Sequence, residues 1–217
     1  MDYDRPMKIG GVIVAGGKAT RMGGKEKLLL QLGGKSVLEI ILPRVRPQVD
    51  SIAIDVRNSS RHEYASWLTQ DVAILSDPFV GKVGPLGGIV GGLQWLTTLS
   101  QEFEWLATFP GDTPFLPRDL IPHLKSFLRP GSSRPVVARD QEGVQSLCAL
   151  WPIGCLRDLR QGVQHGYLRS VRGTLDEFDA LQCPFPFDRS FININTERDL
   201  AEAEGHIEEP PQMLSSK

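Results

Sequence analysis

A chain of 217 residues that is 41% apolar and 23% charged can bury a core as one large domain and is too apolar for global disorder. Its formal net charge of -2 lacks the basic excess that accompanies broad nucleic-acid binding. Three cysteines (Cys148, Cys155, Cys183) and four scattered histidines (His62, His123, His165, His206) have neither metal-ligand nor disulfide-framework spacing, so reduced thiols and a cytoplasmic location are expected.

Residues 1–8 are polar with no signal-peptide core, and no apolar run reaches spanning length, so no membrane attachment is expected. From there strand-like and helix-like segments alternate, which predicts an α/β fold with a mainly parallel central sheet flanked by helices. Residues 9–15 read as the first strand and 36–45 as an amphipathic helix. Strands at 51–56 and 72–75 flank a helix at 61–68. Gly84-Pro-Leu-Gly-Gly88 opens a helix over 89–99, and a strand at 105–109 runs into Pro110-Gly-Asp-Thr-Pro114. A helix from Pro117 to about 128 leads to a polar break at 129–134. Strands at 135–138 and 144–150 flank a turn at 140–143, and helices are predicted at 153–163 and 167–172. A last strand covers 191–194, and a helix over 196–206 has Thr196 as N-cap with Glu197 and Asp199 in its first turn. Residues 1–207 are expected to form a single domain and 208–217 a disordered tail.

Residues 12–27 carry the most chemistry: Val-Ile-Val-Ala-Gly-Gly-Lys-Ala-Thr-Arg-Met-Gly-Gly-Lys-Glu-Lys. A β-branched run ends in Gly16-Gly17, and the loop after it holds Lys18, Arg21, Lys25 and Lys27. Cations crowded into one loop repel unless an anion sits among them, and a nucleoside triphosphate is the natural candidate. Neither the Walker A spacing nor the dinucleotide fingerprint is present. By composition alone the loop could equally be an ordinary surface turn. The ordered pattern Gly-Gly-x-x-x-Arg-Met-Gly-x-x-x-Lys is more specific than that.

In an open parallel sheet, ligands bind at the carboxyl ends of the strands. The loop at 16–27, Asp77 and the segment 110–114 all fall there, with Asn193 and Asn195 on the last short strand. Asp112 has the position for Mg²⁺, which is commonly held by one carboxylate plus substrate phosphates. A turn or cap role explains Asp112 as well, and Asp77 equally. Asn193 and Asn195 could bind metal or phosphate, or tie a strand edge to a loop. Gly84–Gly88 suits close approach to a base or ribose, or tight helix–sheet packing.

These segments resemble those of molybdenum cofactor guanylyltransferases, within the wider nucleotidyltransferases that include sugar-phosphate nucleotidylyltransferases. The resemblance runs from about residue 8 to 206. It rests on Val14-Ala-Gly-Gly-Lys-Ala-Thr-Arg-Met-Gly-Gly-Lys-Glu-Lys27, on Gly84-Pro-Leu-Gly-Gly-Ile (similar to Gly-Pro-Leu-Ala-Gly), on Gly111-Asp-Thr-Pro-Phe-Leu-Pro117 with its preceding Phe-Pro (similar to Cys-x-Asp-x-Pro-x-x-Pro), and on Asn193-Ile-Asn-Thr196 (similar to Asn-x-Asn-Thr). It implies a Rossmann-like nucleotidyltransferase fold. The implied reaction is transfer of GMP from GTP to the terminal phosphate of molybdenum-carrying molybdopterin, giving the guanine dinucleotide form and pyrophosphate.

By position, Val14, Ala15 and Gly16 would contact GTP through the backbone, with Gly17 beside them. Lys27 would bind phosphate, and Arg21 with Lys27 would stabilise charge on the reacting phosphorus and the leaving group. Asp55, Asp77 and the Gly84-Pro85-Leu86 segment would contact the nucleotide. Asp112 would bind nucleotide and Mg²⁺, and Asn193 and Asn195 would lie near the metal or the incoming cofactor. Lys18 and Lys25 have no assigned role. Implied partners are GTP, the molybdenum–molybdopterin substrate, molybdenum insertion proteins and acceptor apoenzymes, without nucleic acid or membrane. The chain departs from the family pattern at Val14 (usually Leu), Glu26 (Asp), Asp55 (often Asn) and Gly111 (Cys). A CTP-dependent sister enzyme, a transferase for another phosphorylated acceptor and a catalytically silent nucleotide-sensing module are the alternatives.

Overall fold

The computed structural model describes residues 6–15, 18–19, 25–56, 58–79, 83–129, 131–186 and 190–207. The first strand, β1 (Lys8–Val14), is followed by two short hairpin pairs, β2 (Lys18–Ala19) with β3 (Lys25–Glu26) and β4 (Gln31–Leu32) with β5 (Lys35–Ser36). Then come α1 (Val37–Val45), β6 (Ser51–Asp55), β7 (Val72–Leu75), α2 (Pro85–Leu99), β8 (Phe103–Pro110) and α3 (Leu120–Ser126). The second half holds β9 (Val136–Arg139), β10 (Val144–Pro152), α4 (Leu156–Gln164), α5 (Val171–Glu177), β11 (Leu181–Pro184) and α6 (Glu197–Ile207).

Seven strands form one sheet in the order β11-β9-β10-β8-β1-β6-β7. Only β10 runs against its neighbours; every other pairing is parallel. β1 lies inside the sheet, and its β-branched run is buried on both faces, as a parallel strand between helical layers requires. Its side chains alternate: Ile9 and Ile13 join one apolar cluster, with α1 and α3, while Val12 and Val14 join the other, with α2, α4 and α5. The parallel strands also end level. Val14 is in register with Asp55 and Pro110, and Asp55 with Leu75. One edge of the sheet therefore carries the loops that follow β1, β6, β7 and β8.

Local chemistry explains the helix starts. Ser36 caps α1 in a reciprocal box: its Oγ accepts from Glu39 N at 3.2 Å, and Glu39 Oε2 accepts from Ser36 N at 2.7 Å. Thr196 Oγ1 likewise accepts from Asp199 N at 3.2 Å, while Asp199 Oδ2 accepts from Thr196 N at 2.8 Å. Cys148, Cys155 and Cys183 are buried free thiols. Burial pushes Cys155 and Cys183 up to about 12, so they stay protonated. Among the described residues no helix is long and apolar enough to cross a membrane.

Four predicted elements change. The helix expected at 61–68 is a long 3-10 segment, Asn58–Gln70; Tyr64 and Trp67, three apart, turn one face to the core at the 3-10 period. The helix placed at 89–99 starts at Pro85, so the glycines lie inside it. The helix placed at 167–172 is a loop followed by α5, whose N-cap Ser170 accepts from Gly173 N at 3.1 Å. The strand placed at 191–194 pairs with no other strand among the described residues. Its Ile194 N donates instead to the Asp112 carbonyl at 2.7 Å. The tail at 208–217 lies outside the described residues.

Candidate active site

The ends of β1 and β8 meet side by side. Gly111 N donates to the Val14 carbonyl at 3.0 Å, and Ala15 N donates to the Asp55 carbonyl at 3.2 Å. These bonds bring Asp112 beside the end of β1 and Ala15. A cleft there is lined by Val14, Ala15, Lys27, Pro85, Gly111, Asp112 and Leu147. The Ala15 N–H is thereby engaged within the sheet.

Lys27 leaves β3 in a single 3-10 turn, Lys27–Leu29. Leu28 packs into the core beneath it, so the backbone is anchored while the ammonium reaches the cleft. Lys27 Nζ donates to Asp112 Oδ2 at 3.1 Å and to Asn195 Oδ1 at 2.6 Å. Both members of the ion pair are largely covered, with side chains 19% and 28% exposed. Such a bond is stronger than a surface pair, since solvent screens it less.

Residues 193–195 are not a strand. Ile194 is buried, and the asparagines on either side of it turn the other way. Asn195 meets Lys27, and Asn193 Oδ1 accepts from Thr113 Oγ1 at 2.6 Å. Thr113 is almost wholly buried and was not singled out by sequence. Its position next to Asp112 in the Asp-Thr-Pro turn is the signal that could have found it.

A pair of acids lies along the same edge. Asp55 ends β6, and Asp77 stands two residues beyond β7. Both face the first turn of α2, where Gly84, with φ of +69°, is the N-cap and Pro85 the first helical residue. Burial and the neighbouring Asp77 charge push Asp55 up to about 7. Burial also raises Asp77, against a hydrogen bond from Phe79 N that lowers it. Leu86, expected at the nucleotide, is turned into the core.

Val14, Ala15, Lys27, Pro85, Asp112, Asn193 and Asn195 thus converge, and Asp55 and Asp77 form a neighbouring cluster around α2. Gly16, Gly17 and Arg21 lie outside the described residues. Lys18 and Lys25 are seen as backbone rungs of the β2–β3 pair. Among the described residues no three metal-binding side chains cluster. The lone Asp112 carboxylate in the cleft fits a Mg²⁺ ion that takes its other ligands from phosphate and water.

A lysine and a carboxylate thus face each other over the carboxyl edge of this sheet. A family profile described as the MobA-like NTP transferase domain matches residues 11–178. The molybdenum cofactor guanylyltransferase of Rhodopseudomonas palustris (strain HaA2) is 34% identical over 196 residues, covering 89% of this chain and 90% of its own. That of Cereibacter sphaeroides is 35% identical over 198 residues, covering 91% and 96%. The crystal structure of molybdopterin-guanine dinucleotide biosynthesis protein A from Archaeoglobus fulgidus has a TM-score of 0.71 at 23% identity, covering 91% of this chain and 98% of that one. At that identity the likeness speaks for the fold. The chain belongs to the MobA-like NTP transferase family.

Proposed function

We infer that the chain transfers GMP from GTP to the terminal phosphate of molybdenum-carrying molybdopterin, releasing pyrophosphate. The observation that carries this reading is the Lys27–Asp112–Asn195 contact at the ends of β1 and β8. It stands in a chain whose curated relatives are named molybdenum cofactor guanylyltransferase.

An oxygen of the acceptor phosphate forms a bond to the α-phosphorus of GTP. The bond from that phosphorus to the oxygen bridging to the β-phosphate breaks, and pyrophosphate carries the electron pair away. The acceptor is already anionic, so no protein base is required. The protein's work is alignment and charge neutralisation. Lys27 supplies a fixed cation at the phosphates, and Arg21, in the same loop, is assigned a second. Asn195 and Asp112 hold the Lys27 ammonium in place. Asp112 would hold Mg²⁺, which when bound offsets charge on the triphosphate. Asn193 and Thr113 keep the turn around Asp112 rigid.

The test is calorimetric binding of GTP, CTP and ATP with Mg²⁺, for wild type and Asp112→Ala. Selective GTP binding whose Mg²⁺ dependence disappears in the variant supports the reading. Preference for CTP moves the protein to the cytidylyl activity, with the same phosphate apparatus.

A further inference from the structure

Every second residue from 26 to 30 turns inward: Glu26 is 6% exposed, and Leu28 and Leu30 are buried. Leucine suits such a row, whereas an acid in it costs free energy unless its oxygens find partners. Glu26 is the N-cap of the 3-10 turn that carries Lys27, yet its side chain caps no N–H of that turn. Its Oε1 accepts instead from Ser60 Oγ at 2.5 Å, across 34 positions of sequence. Ser60 is buried as well, at 4% exposure.

The support beneath Ser60 is firm. Ser60 lies near the start of the 3-10 segment Asn58–Gln70, which follows β6 and is fixed in the core by fully buried Tyr64. The backbone of Glu26 pairs with that of Lys18 in the β2–β3 ladder. Glu26 therefore joins the segment after β1 to the segment after β6. On one side of Lys27, Leu28 anchors the turn by apolar burial, which is non-directional. On the other side a short hydrogen bond sets direction as well as depth. Between these two anchors the Lys27 ammonium reaches Asp112 and Asn195. Placement matters there, since a shift of about 1 Å at a group that aligns the reaction can cost about 10²-fold in rate.

We propose that the Glu26–Ser60 hydrogen bond is a positioning device for Lys27, fixing the lysine's backbone so that its ammonium points into the cleft at the triphosphate. Glu26 and Ser60 are positioning residues that act through Lys27. The inference rests on the phosphate role given to Lys27 above and specifies what holds that residue in place.

The experiment is a double-mutant cycle read as kcat/KM for GMP transfer, with Ser60→Ala, Lys27→Ala and the two together. Ser60→Ala should lower the value about three- to tenfold, the scale of one hydrogen bond. In the Lys27→Ala background the same change should have almost no effect, because the group being positioned is gone. A merely structural role lowers the amount of folded enzyme and scales both backgrounds alike. An equal loss in both backgrounds overturns the proposal, and so does a wild-type rate in Ser60→Ala. Glu26→Ala should lose at least as much as Ser60→Ala, and adding Ser60→Ala to it should remove nothing more. Full additivity of those two changes overturns the pairing; should Glu26→Ala not fold, the Ser60 and Lys27 cycle decides. Hydrogen–deuterium exchange gives a readout without turnover. In Ser60→Ala, amides across residues 25–30 should exchange faster while those of β1 and β8 keep their protection. Unchanged exchange across 25–30 overturns the proposal. Transfer of CMP but not GMP by wild type removes the guanylyl reading alone, and the cycle is then read with CTP. No transfer from either nucleotide overturns that reading and this inference together.

Discussion

Lys27 has three N–H donors, and two of them reach Asp112 and Asn195. Among the described residues the third meets no partner, which leaves it for a phosphate oxygen. Lys27→Ala should therefore lower GMP transfer by about 10²–10³, the usual effect of deleting one preorganised charge. Asp112→Ala should fall by a similar factor. Steady-state assays check both, and near-normal turnover would remove either residue from the chemistry. Asp55 leads to a prediction on stability instead. Its carboxyl titrates near 3.8 in the unfolded chain and at about 7 in the folded protein. The folded state thus binds the proton more tightly, and its stability falls as the pH rises from about 4 through 7. The shift of about three pH units corresponds to a loss of at most about 4 kcal/mol. Asp55→Asn should raise Tm at pH 8, and the gain should shrink toward pH 4 in thermal melts.

At the level of elements, α2 inverts the ordinary rule for glycine. Gly→Ala inside a helix commonly stabilises by about 0.5–1 kcal/mol. At Gly88 the added methyl meets Asp55 Oδ2 at 2.5 Å and a Val14 methyl at 3.2 Å, both in buried surroundings. Gly88→Ala should cost about 1–3 kcal/mol through overpacking. Gly87→Ala meets the Asp77 carboxylate first, which is partly exposed and can swing away. Its loss of stability should be smaller, although the displaced Asp77 should weaken nucleotide binding. Urea denaturation separates the two, and equal losses would contradict the assignment of Asp55 as the less yielding neighbour.

Across the whole molecule, the sheet and the site are joined by a late segment. All seven strands lie within residues 8–184, whereas Asn193 and Asn195 follow them. A chain ending at residue 186 should keep most of its far-UV circular dichroism, yet lose transfer by at least about 10². Lys27 and Thr113 would lose their asparagine partners, and losing buried Phe191 and Ile194 should lower Tm as well. Intact turnover in the shortened chain would contradict the role given to these residues.

The same scale shows what was legible in sequence. The strands at 8–14, 51–55 and 72–75 were readable because runs of Val, Ile and Ala suit no other buried element of that length. The Asp112 turn and Lys27, 85 positions apart, were linked through the rule that loops after parallel strands share an edge. Local pattern misled at 191–194, where apolar and polar residues alternate but the backbone bonds to the Asp112 carbonyl instead of a ladder. It misled at Tyr167 and Leu168 as well, which look helical beside α5 but follow Gly166 at φ +76°. Strand β11 was missed because four residues carry little signal and its pairing with β9 is long-range. The meeting of Asp55 and Asp77 on Gly87 and Gly88 depends on how α2 docks, which no local window contains.

The contact between Lys27 and Asn195 spans 168 positions. A ribosome adding roughly 5–20 residues per second makes Asn195 about 8–34 s after Lys27. The sheet can form and bury its apolar faces during that interval, while the ammonium still lacks its second partner. Assembly of the cleft therefore lags behind that of the sheet, and nascent chains that have not reached Asn195 lack this contact.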